Sequence, residues 1–291
     1  MNTVSLKKDS FRIVQFTDLH LMNRAEDLQT YQLMHQTIET EHPDMIVITG
    51  DITMVPDNEA LLIQLREVME SYHRPWAFVF GNHDYESSLS LDEQANILMK
   101  GQHCLFEKGN PQLRGLGNYY IALKKQDKII AMLGFLDSHN NRIDEINGEK
   151  IWSYDYLDKD QIDDAVKNVN SLKEKTEQFS SLFFFHIPLV DFKTEIEEYP
   201  ENCMGACFEE ISCSKYDTHF SFFLEQTNTL RGVFVGHDHV CDYQFVKNGC
   251  LYAFGRCTGH YNYTKPEFVK GCRIIDIDAL GNIKSHVILE G

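Results

Sequence analysis

Five short apolar runs in this chain each end on a turn that carries aspartate, asparagine or histidine. Phe11 to Phe16 leads into Asp18-Leu19-His20, and Met45 to Thr49 leads into Gly50-Asp51. Trp76 to Phe80 leads into Gly81-Asn82-His83-Asp84. Leu182 to Phe185 leads into His186, and Val233 to Val235 leads into Gly236-His237-Asp238-His239. Short apolar runs bounded by glycine or polar residues predict strands buried on both faces. Residues just past the carboxyl ends of such strands converge on one crevice of an α/β sheet. The glycines before Asp51, Asn82 and His237 permit tight turns and close backbone approach.

These turns supply carboxylate, imidazole and amide groups enough for two metal ions, with one histidine to spare. Such donors suit zinc, iron or manganese, and one carboxylate can bridge two ions. Ions about 3.5–4 Å apart can clamp the attacking and leaving oxygens of an in-line displacement at phosphorus. Water on such a metal reaches a pKa of roughly 7, so hydroxide is available at neutral pH. A histidine that titrates near neutrality is suited to protonate a leaving alkoxide.

The order Asp-x-His, Gly-Asp, Gly-Asn-His-Asp, lone His, Gly-His-x-His resembles the calcineurin-like metallophosphoesterases, here spread from Asp18 to His239. The resemblance implies one metal held by Asp18, His20, His239 and Asp51, and a second held by Asp51, Asn82, His186 and His237. His83 would face the substrate as general acid toward a phosphate mono- or diester attacked by a metal-bridging hydroxide. It implies a four-layer αββα sandwich of two mixed sheets flanked by helices, with the metals at the strand ends. Segments such as His186-Ile187-Pro188-Leu189 and Phe254-Gly255-Arg256 are most similar to small proteins related to purple acid phosphatases. Those enzymes carry a tyrosine ligand three residues after the Gly-Asp aspartate, whereas Met54 stands here. A tyrosinate-coloured iron centre is therefore disfavoured, and what orients His83 stays open.

Each residue also has a plainer use. A lone histidine such as His186 is more often a satisfied core residue, and Asp18 alone could be a helix cap or turn residue. The full order of motifs favours ligation. Asp84 and Asp238 are expected to be structural or to fix nearby imidazoles rather than bind metal. Arg256, His139 and His260 are weaker candidates for substrate contact, since a single arginine more often makes a surface ion pair. Cys203, Cys207 and Cys213 cluster near His219 without a clear four-ligand zinc pattern, so ordinary thiols are expected.

At 291 residues the chain can bury one large core, and residues 1–291 are expected to form a single domain. The formal net charge of -17 argues against tracking a nucleic-acid backbone and against docking on anionic membranes. No apolar stretch approaches a membrane span, and Met1 to Ser10 lacks the apolar region of a secretory signal. A cytoplasmic setting follows as the expectation, with the eight cysteines mostly reduced. The Asn262-Tyr263-Thr264 sequon carries little weight in that setting.

Apolar spacing predicts helices over Glu26–Glu41, Asn58–Tyr72, Asp92–Lys100 and Asp160–Glu174. Strands are predicted over Tyr119–Leu123, Ile129–Leu136, Tyr243–Val246, Cys250–Phe254, Cys272–Ile277 and Ile283–Leu289. Asp191–Phe220 reads as an acidic loop, and with Gly255–Tyr263 it is expected to shape the substrate pocket. The expected partner is a phosphorylated small molecule or phosphoprotein. A metal-binding scaffold without turnover is the alternative. A nuclease would need a basic groove or an added DNA-binding domain, and neither is visible.

Overall fold

The computed structural model describes residues 1–146, 148–176 and 178–291. Each of the five apolar runs is a strand. In the first sheet these are β2 (Ser10–Phe16), β3 (Met45–Thr49) and β4 (Trp76–Val79), mutually parallel. Two antiparallel strands, β13 (Gly271–Asp278) and β14 (Ile283–Leu289), extend it to five in the order β14-β13-β2-β3-β4. The other two runs are β9 (Ser180–Phe184) and β10 (Leu230–Val235), parallel neighbours at the centre of a second sheet.

That second sheet adds β1 (Asn2–Ser5), β5 (Tyr119–Lys125), β6 (Lys128–Phe135), β11 (Gln244–Lys247) and β12 (Cys250–Phe254). Its seven strands run in the order β1-β5-β6-β9-β10-β12-β11. Period-two alternation divides its two faces. Leu182, Phe184, Phe234 and Ala253 pack in the core shared with the five-stranded sheet. Their neighbours Phe183, Phe185, Val233, Val235, Tyr252 and Phe254 pack in a separate core. Helices α1 (Ala25–Glu41), α2 (Glu59–Ser71) and α3 (Leu91–Leu98) join the first core. Helices α4 (Lys159–Lys173), α5 (Val190–Glu198) and α6 (Phe220–Glu225) join the second. The result is the expected four-layer αββα sandwich of two mixed sheets.

Local chemistry sets the helix ends. Ser90 caps α3 by accepting the Glu93 amide, and the Glu93 carboxylate accepts the Ser90 amide in return. Along α4, Ile162, Ala165, Val169 and Leu172 recur at three- and four-residue steps and are all buried.

Three elements depart from the expectations. Asn2–Ser5, where no strand is predicted, is an edge strand parallel to β5. The supposed loop from Asp191 begins with α5, which buries Phe192 and Glu195. Asn141–Ile146 and Glu149–Tyr154 pair as a separate antiparallel hairpin, β7 and β8. Its charged sequence lacks the apolar run of a sheet strand.

One polar residue ties the sheets together. Arg273 on β13 is fully buried and reaches into the seven-stranded sheet. It donates to the carbonyls of Phe254 and Asp242, to Gln244 Oε1 and to Ser285 Oγ. Burial lowers its pKa to about 10 against the field of Asp242, so it stays charged at neutral pH. Arg273→Met leaves two buried carbonyls without donors, each costing about 1–3 kcal/mol. Urea unfolding should show the midpoint falling accordingly, and an unchanged midpoint would refute this role.

Candidate metal centre

The turns after β2, β3, β4, β9 and β10 meet at the seam between the two sheets. Gly50 has φ 86°, and a Cβ there would lie 2.5 Å from His186 Nδ1. At Gly81 a Cβ would lie 2.2 Å from Asp51 Oδ1. Neither position has room for a side chain. Four further residues at the seam hold positive φ although they are not glycine: Asp18 (53°), His20 (44°), Asp51 (51°) and His237 (81°). Such backbone is disfavoured and persists where surrounding contacts over-determine it. Here the His20 amide donates to the Asp51 carbonyl at 2.9 Å, and the Asp18 amide to the Gly50 carbonyl at 3.2 Å. The His237 amide donates to the Asp18 carboxylate at 3.1 Å.

Two groups of donor atoms result, each lying within 4.8 Å of one another: Asp18, His20, Asp51 and His239, and Asp51, His186 and His237. Asp51 belongs to both. Its Oδ2 lies 3.1 Å from His20 Nε2 and 3.2 Å from His186 Nε2. Asn82 joins the second group, its Oδ1 lying 3.1 Å from His186 Nε2. His239 Nε2 lies 3.5 Å from Asp18 Oδ1. Among the described residues no other cluster of this kind occurs, so Cys203, Cys207 and Cys213 form none.

The donors fit metal ions on their own chemistry. His20 Nε2, Asp51 Oδ2, His237 Nε2 and His239 Nδ1 are buried without hydrogen-bond partners. Unpartnered buried polar atoms are costly, and His20 Nε2 with Asp51 Oδ2 inside the cluster call for a ligand. His186 Nδ1 lies 2.8 Å from the Thr49 carbonyl, so it is the protonated nitrogen. That turns the Nε2 lone pair toward Asp51, Asn82 and His237. Together they form a dinuclear His/Asp metal-binding site with Asp51 common to both halves.

Without metal, a proton takes the cation's place. Burial works against a charged His186, but Asp51 and Asp18 outweigh it and raise its pKa to about 10. Burial and the charge on His186 then lower His237 to about 3. Burial pushes Asp18 upward, yet His239 and His186 hold it at about 2. Metal binding must therefore expel the His186 proton.

His83 stands outside both groups. It opens a short 3-10 turn, His83–Glu86, and its amide donates to Asp51 Oδ1 at 2.9 Å. Its side chain is 25% exposed, so it faces solvent beside a buried cluster. Its Nδ1 lies 3.1 Å from Glu86 Oε2. Glu86 is thus close enough for an ion pair with His83 but makes no hydrogen bond to it. The sequence signal was a carboxylate three residues on, within one helical turn. Met54 meets His20 instead, with its Sδ 3.0 Å from Nδ1.

Other expectations need correction. Of the two roles expected for Asp84 the structural one holds, and it fixes no imidazole. It accepts the amides of Ile52, Thr53 and Gly81 and so joins two metal-bearing turns. Burial and the charge of Asp51 raise its pKa to about 7. Asp238 accepts the Ser212 amide. Arg256 is 4% exposed, donates to Asp242 and the Val269 carbonyl, and lies 3.3 Å from the centre of the Phe268 ring. His139 is buried against Gln161, and His260 sits between Thr30 and Glu290. These three are occupied in holding loops.

A family profile described as calcineurin-like phosphoesterase matches residues 11–241. The chain belongs to the calcineurin-like phosphoesterase family. It is 26% identical to probable inactive purple acid phosphatase 29 of Arabidopsis thaliana, covering 92% of this chain and 77% of that one. It is 28% identical to phosphatase DCR2 of Saccharomyces cerevisiae, covering 80% of this chain and 44% of that one. A dimetal phosphatase from Danio rerio superposes with a TM-score of 0.54 at 13% identity, covering 97% and 99% of the two chains. That likeness concerns the fold. No helix among the described residues is long and apolar enough to cross a membrane.

Two outcomes test the centre. Asp51→Asn should weaken occupancy of both metal positions in an elemental assay, and loss of one metal alone would show that Asp51 is not shared. Metal binding at pH 7 should release about one proton, measured by calorimetry in buffers of different ionisation heat. Affinity should then rise with pH up to about 10, where His186 titrates. Binding without proton release would contradict the lone-pair assignment.

Proposed function

We propose that this protein hydrolyses a phosphate mono- or diester, with Asp18, His20, Asp51, Asn82, His186, His237 and His239 as metal ligands and His83 as general acid. The observation that carries this is the split between the buried donor cluster and the half-open His83 at its edge. A scaffold needs only the cluster. When bound, two manganese, iron or zinc ions supply Lewis acidity and lower the pKa of water, providing a nucleophile near neutral pH.

The chain supplies position and protons. Asp51 holds both halves of the cluster at one spacing, and its second oxygen fixes the backbone of His83. Position would therefore pass from the shared metal ligand Asp51 to the backbone of the proton donor through one carboxylate. The Glu86 carboxylate lies 3.1 Å from His83 Nδ1 without a hydrogen bond between them, so Nε2 is the nitrogen that offers a proton to the leaving oxygen. His83 protonates the departing alkoxide as the ester bond breaks. The acidic surface favours a small or proteinaceous ester over nucleic acid, since the formal charge is -17 before metals are added.

The test is hydrolysis of p-nitrophenyl phosphate and bis-p-nitrophenyl phosphate after chelation and reloading with manganese, iron or zinc. Restored turnover supports a phosphoesterase, and the preferred compound separates monoester from diester. His83→Ala should retain both metals while turnover of an ester with a poor leaving group falls about 10²–10⁴-fold. Two bound metals without turnover of either compound would favour a non-catalytic scaffold.

A further inference from the structure

Aromatic rings flank both halves of the metal cluster. Tyr154 sets its ring edge-to-face against His237, with centroids 4.3 Å apart. Tyr263 lies against His239 at 4.4 Å, tilted by 34°. Behind Tyr154 comes Trp152, with centroids 4.8 Å apart. A continuous run of rings thus leads from solvent to the second metal position. Trp152 is 50% exposed and Tyr263 57% exposed, although large apolar rings gain by burial.

The hairpin that carries Trp152 and Tyr154 is anchored at its base. Ser153 is buried between them, and its hydroxyl accepts the Lys215 amide at 3.0 Å. Asp155 next in sequence is buried, accepts the Tyr156 amide and is ion-paired with Arg114. Tyr154 itself forms a parallel bridge with Ser214. On the other side the Tyr263 hydroxyl donates to Glu209 at 2.6 Å. Both rings are therefore held in place before any ligand arrives, which lowers the entropy cost of stacking on them.

The electrostatics narrow the ligand further. Among the described residues, Asp18 and Asp51 are ion-paired only to histidines. Arg256 is committed to Asp242, and Arg114 to Asp155 and Asp158. Glu209 and Glu86 add negative charge around the rim. Asp18, Asp51 and the four histidines would hold two cations, whose charge would suffice for one phosphoryl group. Among the described residues no lysine or arginine is ion-paired with Asp18 or Asp51, so a second phosphate meets no cation at the cluster itself. Affinity beyond the phosphoryl group must come from the organic part, and the surface offered to it is aromatic.

We propose that the site takes a small ester with a single phosphoryl group whose alcohol carries a planar aromatic group, nucleoside or aryl, seated on the rim formed by Trp152, Tyr154 and Tyr263. This inference rests on the phosphoesterase reading for its phosphoryl half. The rim residues are specificity determinants for the alcohol. They lie on the β7–β8 hairpin and on the loop after β12, outside the strand-end turns that carry the metal ligands.

The test uses the metal-loaded protein and two inert phosphonates matched in ring size, benzylphosphonate and cyclohexylmethylphosphonate. Trp152 reports binding by fluorescence, because Trp76 is fully buried elsewhere in the core. Calorimetry gives the affinities for wild type and variants. Benzylphosphonate should bind roughly five- to ten-fold more tightly than its saturated match, the range expected for a stacked aromatic pair. Trp152→Leu and Tyr263→Leu together should reduce that preference to within roughly two-fold, with metal content unchanged. Equal binding of the two phosphonates, binding of neither, or a preference that survives the double variant would each overturn the proposal. Hydrolysis of p-nitrophenyl phosphate without aromatic preference would sink this inference alone. Aromatic preference without hydrolysis would uphold it and sink the phosphoesterase reading instead.

Discussion

The carboxylate of Asp51 is the contact on which the rest of the centre depends. Its Oδ2 faces His20 from one sheet and His186 from the other, while its Oδ1 holds the His83 backbone. Each half of the metal site therefore spans the seam. Asp18, His20, Asp51 and Asn82 come from the five-stranded sheet, whereas His186, His237 and His239 come from the seven-stranded one. A metal bound across that seam would act as a staple. Linkage makes the gain about 2.7 kcal/mol for each ion at a hundred-fold excess over its dissociation constant. Arg273 joins the same two sheets without metal, so the scaffold does not rest on the ions alone.

The apo centre is held in a costly state. Two buried aspartates lie among four histidines, and four of the backbone positions are left-handed. Several buried ring nitrogens lack partners. Strain of this sort is stored at functional sites and offset elsewhere. Here the offset comes from two apolar cores on either side of the seven-stranded sheet. It also comes from Asp84, which ties the Asp51 turn to the Gly81 turn through three amides. The rigid surroundings are what allow seven side chains from five turns to reach one place.

The metal donors were legible because each is fixed by local grammar. A buried strand followed by glycine and a ligand says where the side chain must go, and Asp51, Asn82 and His237 all follow it. The αββα plan came with those strands and with the family resemblance. What the sequence hid depends on distant contacts. Arg256 looked like a phosphate contact, but only the fold shows Asp242 beside it. The Asn141–Tyr154 hairpin has no apolar alternation to announce it, yet it delivers Tyr154 to His237. Glu86 was visible as a neighbour of His83, but their ion pair needed the 3-10 turn that brings the two side chains together. Asn2–Ser5 is an edge strand whose polar residues gain their conformation from pairing with β5 rather than from burial.

The most direct test of a shared Asp51 bridge is electron paramagnetic resonance during manganese titration of the metal-free protein. Ions about 3.5–4 Å apart and joined by one carboxylate should couple. The account predicts that a spin-coupled pair signal grows in as the second equivalent binds, while the signal of isolated manganese declines. Saturation at one equivalent, or two equivalents giving only the spectrum of independent ions, would contradict it.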